Sequence, residues 1–266
     1  MDNPFDPNYS APQPVEDVPE VSAPKANAKP GKGRIVYHTE VLQGSDEWAE
    51  LRRGILTASE MSKIVTPATL KQANNDKARA HLWELLAQRI TKYVEPHFYG
   101  DEMERGHRDE VEMRRLYSEH IAPVEECGFI TNDSFGFTIG YSPDGLIENR
   151  TAGIEGKSRR QKFQVQTIVE HHLLGTVPTD YLIQCHTGMI VADLTRMDLI
   201  SYSGGMPMIP MTVYPDDKIH NAIVEISGEF ERQLAEKLAA YEDAIASNPK
   251  LIPTERLVEL EMYVGA

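Results

Sequence analysis

Two short stretches near the middle of the chain decide its fold: Tyr-Ser-Pro-Asp-Gly-Leu at residues 141–146 and Gly-Ile-Glu-Gly-Lys at residues 153–157. The side chains of residues i and i+2 point to the same face of a β-strand, so Glu155 and Lys157 share a face. If the segment that carries Asp144 pairs with this strand as a hairpin, two carboxylates and one ammonium converge on one point.

Two carboxylates that lie close together repel each other, which predicts a divalent metal ion between Asp144 and Glu155. A ligand set of oxygen atoms, without a cluster of His or Cys, favours Mg²⁺ or Mn²⁺. A lysine beside such an ion, here Lys157, suits an enzyme that stabilises a phosphate or activates water against one. The sequence therefore predicts a metal site that acts on a phosphate.

The composition of the 266-residue chain excludes several classes of protein. Its net charge of −14 gives no overall attraction to nucleic acid, although binding at a recessed site depends on local potential. Two cysteines, Cys127 and Cys185, are too few for a disulfide framework or a Cys₄ zinc site. No apolar run approaches the roughly 20 residues of a membrane span. We therefore expect a soluble protein of the cytoplasm, without a membrane partner.

Composition also divides the chain into three parts. Residues 1–33 hold seven of the 17 prolines and almost no large apolar side chains, which predicts a disordered arm. This arm is either an unconstrained terminus or a segment that binds a partner. Residues 34–248 are expected to form the folded domain, and residues 249–266 a C-terminal tail.

Hydrophobic periodicity within the folded domain predicts an α/β fold with a central mixed β-sheet flanked by helices. A short strand is expected near residues 34–38, a β-meander over residues 126–157, and two further strands at residues 194–202 and 208–214. Apolar residues at helical spacing predict helices near residues 47–53, 57–65, 76–93, 101–120, 163–174, 180–191 and 219–241.

A second candidate site lies around Arg52 and Ser59. Thr57 and Glu60 match a capping box, which predicts the start of a helix, and a helix N-terminus favours an anion. Together with the serine hydroxyl and the adjacent arginines, it would form a phosphate pocket. Taken locally, an ordinary helix–turn–helix with solvent-facing arginines is the more frequent cause of such a pattern.

Two further features stand near the predicted metal site. Glu110 falls on the inner stripe of the helix at residues 101–120, where an acidic side chain needs a partner. That partner is either a neighbouring arginine or the metal site itself. The strand that carries Glu155 ends in a basic patch, which is notable in an acidic chain and consists of Lys157, Arg159, Arg160 and Lys162.

Five blocks of sequence in one order resemble the phage lambda-type exonucleases, or viral recombinases, within the restriction-endonuclease-like superfamily. They are Leu-Arg-Arg-Gly-Ile-Leu-Thr-Ala-Ser-Glu at residues 51–60, Gly106 with Glu110, Ser-Pro-Asp-Gly-Leu at residues 142–146, Glu155 with Lys157, and Tyr181 with Gln184. The resemblance covers roughly residues 40–215. One departure is Ser-Arg-Arg-Gln at residues 158–161, where the family usually has a proline-containing segment.

The resemblance implies a role for each candidate residue. The carboxylates of Asp144 and Glu155, with the carbonyl of Gly156, would bind Mg²⁺ or Mn²⁺. Lys157 would orient or deprotonate the attacking water. The other roles implied are Glu110 at the metal site, Gln184 beside the nucleophile, Arg52 and Ser59 on the 5′-phosphate of a DNA end, and Arg159 and Arg160 on the DNA.

The resemblance also implies an activity and its partners. Members of the family are homotrimers that digest linear double-stranded DNA 5′ to 3′ beside a phage single-strand annealing protein, which places them in the cytoplasm of a bacterial host. Two alternatives stay open from the sequence. One is an endonuclease or nickase on the same core, and the other is a non-catalytic module that binds DNA ends or the annealing protein.

Overall fold

The computed structural model describes residues 33–95, 101–248 and 250–256, except for the side chains of residues 101–103. The helices in these ranges are α1 (Asp46–Arg52), α2 (Asp76–Thr91), α3 (Asp101–His120), α4 (Gln161–Gln166), α5 (Thr179–Ala192) and α6 (Asp217–Ser247). The strands are β1 (Ile35–His38), β2 (Leu56–Thr57), β3 (Val65–Thr66), β4 (Lys71–Gln72), β5 (Phe129–Asn132), β6 (Ile139–Tyr141), β7 (Gly145–Ile147), β8 (Ala152–Ser158), β9 (Arg196–Tyr202) and β10 (Ile209–Val213).

The strands form two four-stranded sheets and one two-stranded sheet. The first sheet has the order β1-β5-β6-β2, and its β2 and β6 run parallel. The second has the order β10-β9-β8-β7, and its β8 and β9 run parallel. Strands β3 and β4 form the small third sheet. Both large sheets are therefore mixed and are accompanied by helices, which confirms the predicted α/β fold class.

The predicted β-meander is wrong at one connection. Strand β5 pairs with β6, and β7 pairs with β8, but β6 and β7 lie in different sheets. The chain crosses from the first sheet to the second at residues 142–144. Pro143 stands in this crossing, and a proline has no N–H to donate to a sheet. The expected single central sheet is thus two sheets that meet at Ser-Pro-Asp.

The predicted helix at residues 57–65 is present, but as a shorter 3₁₀ helix. Leu56 and Thr57 form a short strand in parallel register with Ile139 and Gly140, and the chain then makes a 3₁₀ helix at Ala58–Lys63. The hydroxyl of Thr57 donates to the carboxylate of Glu60 (3.1 Å) and makes no capping bond to the backbone. The helix therefore begins directly after Thr57, as the capping pattern predicts, and it ends two residues earlier than expected.

The other predicted helices agree with the structure to within a few residues, except that α4 covers only the first part of the segment 163–174. A π-helical turn at Thr167–His171 and a 3₁₀ turn at His172–Leu174 complete that segment. Among the described residues, no helix combines the length and the apolar character that crossing a membrane requires. The predicted arm, apart from Gly33, and most of the predicted tail lie outside the described residues.

Two apolar clusters hold the sheets and helices together. The larger includes Leu56 and Ile139 of the first sheet, Leu199 of the second and Phe230 of α6. The smaller packs α3 against the second sheet through Met113, Tyr117, Ile147, Ala152, Ile154 and Ile200. Because α3 is fixed on β8 in this way, its Glu110 is held beside the strand that carries Glu155.

Candidate active site

The hairpin of β7 and β8 brings Asp144 and Glu155 together, as the spacing of the sequence predicts. Gly145 pairs with Ile154 in antiparallel register as the last pair of the ladder, so Asp144 and Glu155 are the residues directly beyond that pair. The backbone N–H of Gly156 donates to Oδ2 of Asp144 at 2.5 Å. An added Cβ on Gly156 would lie 2.7 Å from Cε of Met113, so glycine lets α3 approach the strand closely.

Three polar side chains converge on Glu155, which is 2% exposed. Nζ of Lys157 donates to its Oε1 at 2.8 Å, and Nε2 of Gln184 donates to the same atom at 2.6 Å. Lys157 also donates to Oε1 of Gln184 at 2.9 Å, which closes a ring of three residues. The hydroxyl of Tyr141 donates to the other carboxylate oxygen at 3.2 Å. Helix α5 thus supplies an amide that fixes both the carboxylate and the lysine.

Glu110 forms the ion pair with a neighbouring arginine, one of the two arrangements that the sequence left open, and its place at the metal site stays a prediction. Its Oε1 accepts a hydrogen bond from NH1 of Arg114 at 2.7 Å, one turn further along α3. The same nitrogen lies 3.3 Å from the carbonyl oxygen of Asp144, so the ion pair stands against the metal-site hairpin. Glu110 is also close enough to the cluster for its charge to raise the pKa of Asp144.

The electrostatics of the cluster favour a bound cation. Burial and the neighbouring charges of Glu155 and Glu110 raise the pKa of Asp144 well above its usual range. Burial likewise raises the pKa of Glu110, against the opposing effect of Arg114. Burial disfavours the charged form of Lys157, but Glu155 and Asp144 outweigh it and raise the pKa of the ammonium.

Three carboxylates therefore face two cationic side chains, Lys157 and Arg114, in a partly desolvated site. A divalent ion would relieve the repulsion among the carboxylates, and oxygen donors of this kind suit Mg²⁺ or Mn²⁺. The residues present thus fit the predicted metal. The carbonyl of Gly156 stays a predicted ligand.

Arg52 lies at the end of α1 among three hydroxyl groups. Its NH1 donates to Oγ of Ser142 at 3.1 Å, and its NH2 lies 3.4 Å from Oγ of Ser59 and 3.5 Å from Oγ1 of Thr57. Cζ of the guanidinium lies 4.3 Å from the centroid of the Trp48 ring, a distance that allows a cation–π contact. The structure therefore brings together the two predicted phosphate-binding residues, Arg52 and Ser59.

Ser142 is the residue that sequence reasoning missed. Its hydroxyl accepts hydrogen bonds from Arg52 and from Nε1 of Trp48 (2.9 Å), and it stands two residues before Asp144. Consecutive Cα atoms are 3.8 Å apart, so the Cα atoms of Ser142 and Asp144 are separated by at most about 7 Å. The first residue of the Ser-Pro-Asp motif therefore joins the arginine pocket to the metal site. Only its position beside the aspartate signalled this role.

The two arginines after β8 differ in their surroundings. Arg159 donates to the hydroxyl of Tyr181, and its Cζ lies 5.4 Å from that ring and 5.2 Å from the ring of Phe163. Nζ of Lys157 lies 5.3 Å from the same Tyr181 ring, so Arg159 is placed beside the active-site lysine. Arg160 is exposed. Their contact with DNA remains a prediction.

Glu60, His81 and Glu84 form a second group with metal-binding side chains in the described part of the chain. Nζ of Lys63 lies 2.9 Å from Oε1 of Glu60 and 3.8 Å from Oε2 of Glu84. One ammonium thus already lies against both carboxylates of this group. The Asp144 site stays the predicted metal site.

Comparison with known proteins agrees with this geometry. The family model of the YqaJ-like viral recombinase domain matches residues 47–195, which include Arg52, Ser59, Asp144, Glu155 and Gln184. The chain belongs to the YqaJ-like viral recombinase family. None of the curated proteins compared with the chain matches it.

Solved structures similar to this member of the viral recombinase family include an alkaline exonuclease from Laribacter hongkongensis. That structure is 24% identical, has a TM-score of 0.65, and covers 76% of this chain and 98% of its own. The structure of the same enzyme in complex with dAMP is 25% identical, has a TM-score of 0.66 and the same coverage. The resemblance that the sequence motifs indicated is thereby confirmed. The family and these neighbours support a nuclease that acts on DNA.

Proposed function

We propose that the protein is a Mg²⁺-dependent exonuclease that degrades linear double-stranded DNA 5′ to 3′ from a phosphorylated end. One observation carries the proposal: Ser142 binds Arg52 of the anion pocket and stands two residues before the metal-site residue Asp144. A pocket that binds a terminal phosphate beside a hydrolytic centre favours cleavage from ends.

The end pocket has the chemistry that a 5′-phosphate requires. A guanidinium binds phosphate oxygens through two parallel N–H groups, and NH1 and NH2 of Arg52 both face hydroxyl groups here. The hydroxyls of Ser142, Ser59 and Thr57 reorient easily to donate to the same oxygens. Phosphate would replace the weak hydrogen bonds of 3.4 and 3.5 Å that Arg52 makes with Ser59 and Thr57.

Asp144 and Glu155 would hold the metal, with Glu110 at its edge. When bound, the ion polarises the scissile phosphodiester and lowers the pKa of water. The ammonium of Lys157 is held beside the metal site by hydrogen bonds to Glu155 and Gln184. From there it would donate a hydrogen bond to the attacking water or to a phosphate oxygen. Gln184 fixes the direction of both side chains. Arg159 and Arg160 would bind the strand next to the cleaved bond.

Further properties follow from the family resemblance and are part of the proposal. The active form is a homotrimer, its partner is a phage single-strand annealing protein, and it works in the cytoplasm of a bacterial host during recombination. Sedimentation of the purified chain tests the trimer: a monomer at micromolar concentration in the presence of DNA contradicts it.

A digestion experiment separates this function from the two alternatives. Linear duplex with 5′-phosphates is incubated with Mg²⁺ beside closed circular duplex, and Asp144→Asn serves as the inactive control. We expect loss of the linear DNA alone, with mononucleotide release from the 5′ end. Cleavage of both forms points to an endonuclease or nickase, and no cleavage in Mg²⁺ or Mn²⁺ points to a non-catalytic binding module.

A further inference from the structure

In the turn that follows α1, both backbone polar groups of Gly54 form hydrogen bonds with side chains of helix α2. The backbone N–H of Gly54 donates to Oε1 of Gln88 at 2.8 Å, and its carbonyl oxygen accepts a hydrogen bond from Nε of Arg89 at 2.6 Å. Gly54 is buried and follows Arg52 by two residues. Backbone groups of a buried turn need such partners, because they are shielded from water.

The position of Arg89 is itself fixed from the other side. Its NH1 and NH2 donate to Oε2 and Oε1 of Glu231 on α6, at 2.8 and 2.7 Å. The side chains of this pair are only 27% and 15% exposed, and a bidentate pair fixes the plane of the guanidinium. All three nitrogens of the Arg89 guanidinium are therefore used, one on the turn and two on α6.

Glycine at position 54 is required for this arrangement. Its φ of +69° lies in the left-handed region, and an added Cβ would lie 2.8 Å from Cγ of Arg89. A third contact comes from NH1 of Arg53, which donates to the carbonyl oxygen of Lys92 at the end of α2 (3.0 Å). Helix α2 thus holds the residues that directly follow Arg52.

We infer that Gln88 and Arg89 are positioning residues for the 5′-phosphate pocket, acting through the Arg53–Gly54 turn on Arg52. The inference rests on the proposed function of Arg52. The Arg52 side chain extends from the last residue of α1 to Ser142, so a shift of its backbone moves the guanidinium relative to the Ser142 hydroxyl. Glu231 extends the same control to α6, which has no residue in the pocket.

The preference for 5′-phosphorylated over 5′-hydroxyl ends tests this inference. The measured quantity is the ratio of kcat/KM for the two linear duplexes with Mg²⁺, for the full chain and for Arg89→Met, Gln88→Leu and Arg52→Met. Misplacing a binding group by about 1 Å costs up to about a hundredfold. We expect Arg89→Met and Gln88→Leu to lower the ratio roughly tenfold or more, through a higher KM for phosphorylated ends, with digestion of hydroxyl ends unchanged.

Two controls separate positioning from general stability. Arg232→Met removes another arginine that pairs with a glutamate, Glu229, but on the exposed side of α6, and it should keep the wild-type ratio. Glu231→Gln leaves the Gly54 contacts in place and should lower the ratio less than Arg89→Met. Circular dichroism verifies folding, and Gln88→Leu decides the matter if Arg89→Met does not fold.

The outcomes for the two proposals differ. A wild-type enzyme that digests both ends equally contradicts the phosphate pocket, and the positioning role falls with it. A wild-type preference that is kept in Arg89→Met and Gln88→Leu, or equal losses on both ends, overturns only the positioning role.

Discussion

The metal centre and the Arg52 pocket meet at the Ser-Pro-Asp motif, but they are built in opposite ways. At the metal centre, carboxylates outnumber cations, and Asp144 and Glu155 lie on one hairpin, 11 residues apart. In the pocket, the guanidinium that α1 supplies faces neutral hydroxyls from β2, the 3₁₀ helix and the 142–144 crossing. The metal centre thus has an excess of carboxylates, whereas the pocket presents one guanidinium to hydroxyls, with the single carboxylate of Glu60 behind Thr57.

This difference predicts that the two regions have separate roles in the proposed reaction. In the proposed function, the metal centre would carry the chemistry and depend on a cation from solution. The pocket would select the end, and it depends on hydroxyls that residues distant in the sequence place around the guanidinium of Arg52. Changes at the metal centre should therefore abolish cleavage at any substrate, whereas changes at the pocket should remove the preference for phosphorylated ends and leave cleavage itself.

The largest effect is expected for Asp144→Asn. The amide is close in size to the carboxylate but lacks the negative charge that would bind the metal. A catalytic metal ion contributes several kcal/mol to the stabilisation of the transition state. We expect kcat on linear duplex to fall at least about a thousandfold. Initial rates of nucleotide release measure this for phosphorylated and hydroxyl ends alike. A loss confined to phosphorylated ends would contradict the division between the two regions.

Arg52→Lys is expected to have the next largest effect. Lysine keeps the charge but cannot donate two parallel hydrogen bonds to a phosphate or stack on Trp48 in the same way. The preference for 5′-phosphorylated over 5′-hydroxyl ends should fall roughly 10- to 100-fold, the value of one to two charge-assisted hydrogen bonds. Competition assays with the two duplexes in one tube measure this ratio. An equal loss on both substrates would place Arg52 in the cleavage step instead.

Added Mg²⁺ should raise the thermal stability of the protein through the Asp144 site and not through the Arg52 pocket. A ligand at 100 times its Kd stabilises the folded state by about 2.7 kcal/mol, or roughly 5–10 °C for a domain of this size. Calorimetry in EDTA and in saturating Mg²⁺ should show this rise in Tm for the wild type and for Arg52→Lys. Asp144→Asn should show a much smaller rise.

The same comparison tests the raised pKa of Asp144. A carboxyl whose pKa is higher in the folded state than in the unfolded state costs stability once the pH passes its unfolded value. At pH 8 in EDTA, Asp144→Asn removes this cost and should unfold at the same temperature as the wild type or higher. A clearly lower Tm for Asp144→Asn than for the wild type would show that the ionised Asp144 does not destabilise the metal-free protein.

The two regions also differ in how far the sequence predicts them. Glu155 and Lys157 are i and i+2 on one strand and Asp144 is on its hairpin partner, so local periodicity is enough to bring them together. Contact between Arg52 and Ser142 spans 90 residues and depends on the pairing of β2 with β6. The same pairing fixes the two residues that directly precede the 3₁₀ helix at Ala58–Lys63. The helices and the fold class can be predicted from local hydrophobic periodicity. The pocket cannot, because it depends on the pairing of strands that are distant in the sequence.

The smallest effect is expected for Ser142→Ala, and it tests the junction itself. The substitution removes one hydroxyl that accepts hydrogen bonds from Arg52 and Trp48, while Pro143 and Asp144 keep their backbone. One hydrogen bond contributes about 1 kcal/mol, which corresponds to a loss of roughly fivefold in the preference for 5′-phosphorylated ends. Ser59→Ala is the matched control, because it removes a hydroxyl from the same pocket at a distance from the metal motif. If Ser142→Ala lowers kcat on hydroxyl ends and Ser59→Ala does not, Ser142 also sets the position of Asp144, and the two regions act as one site.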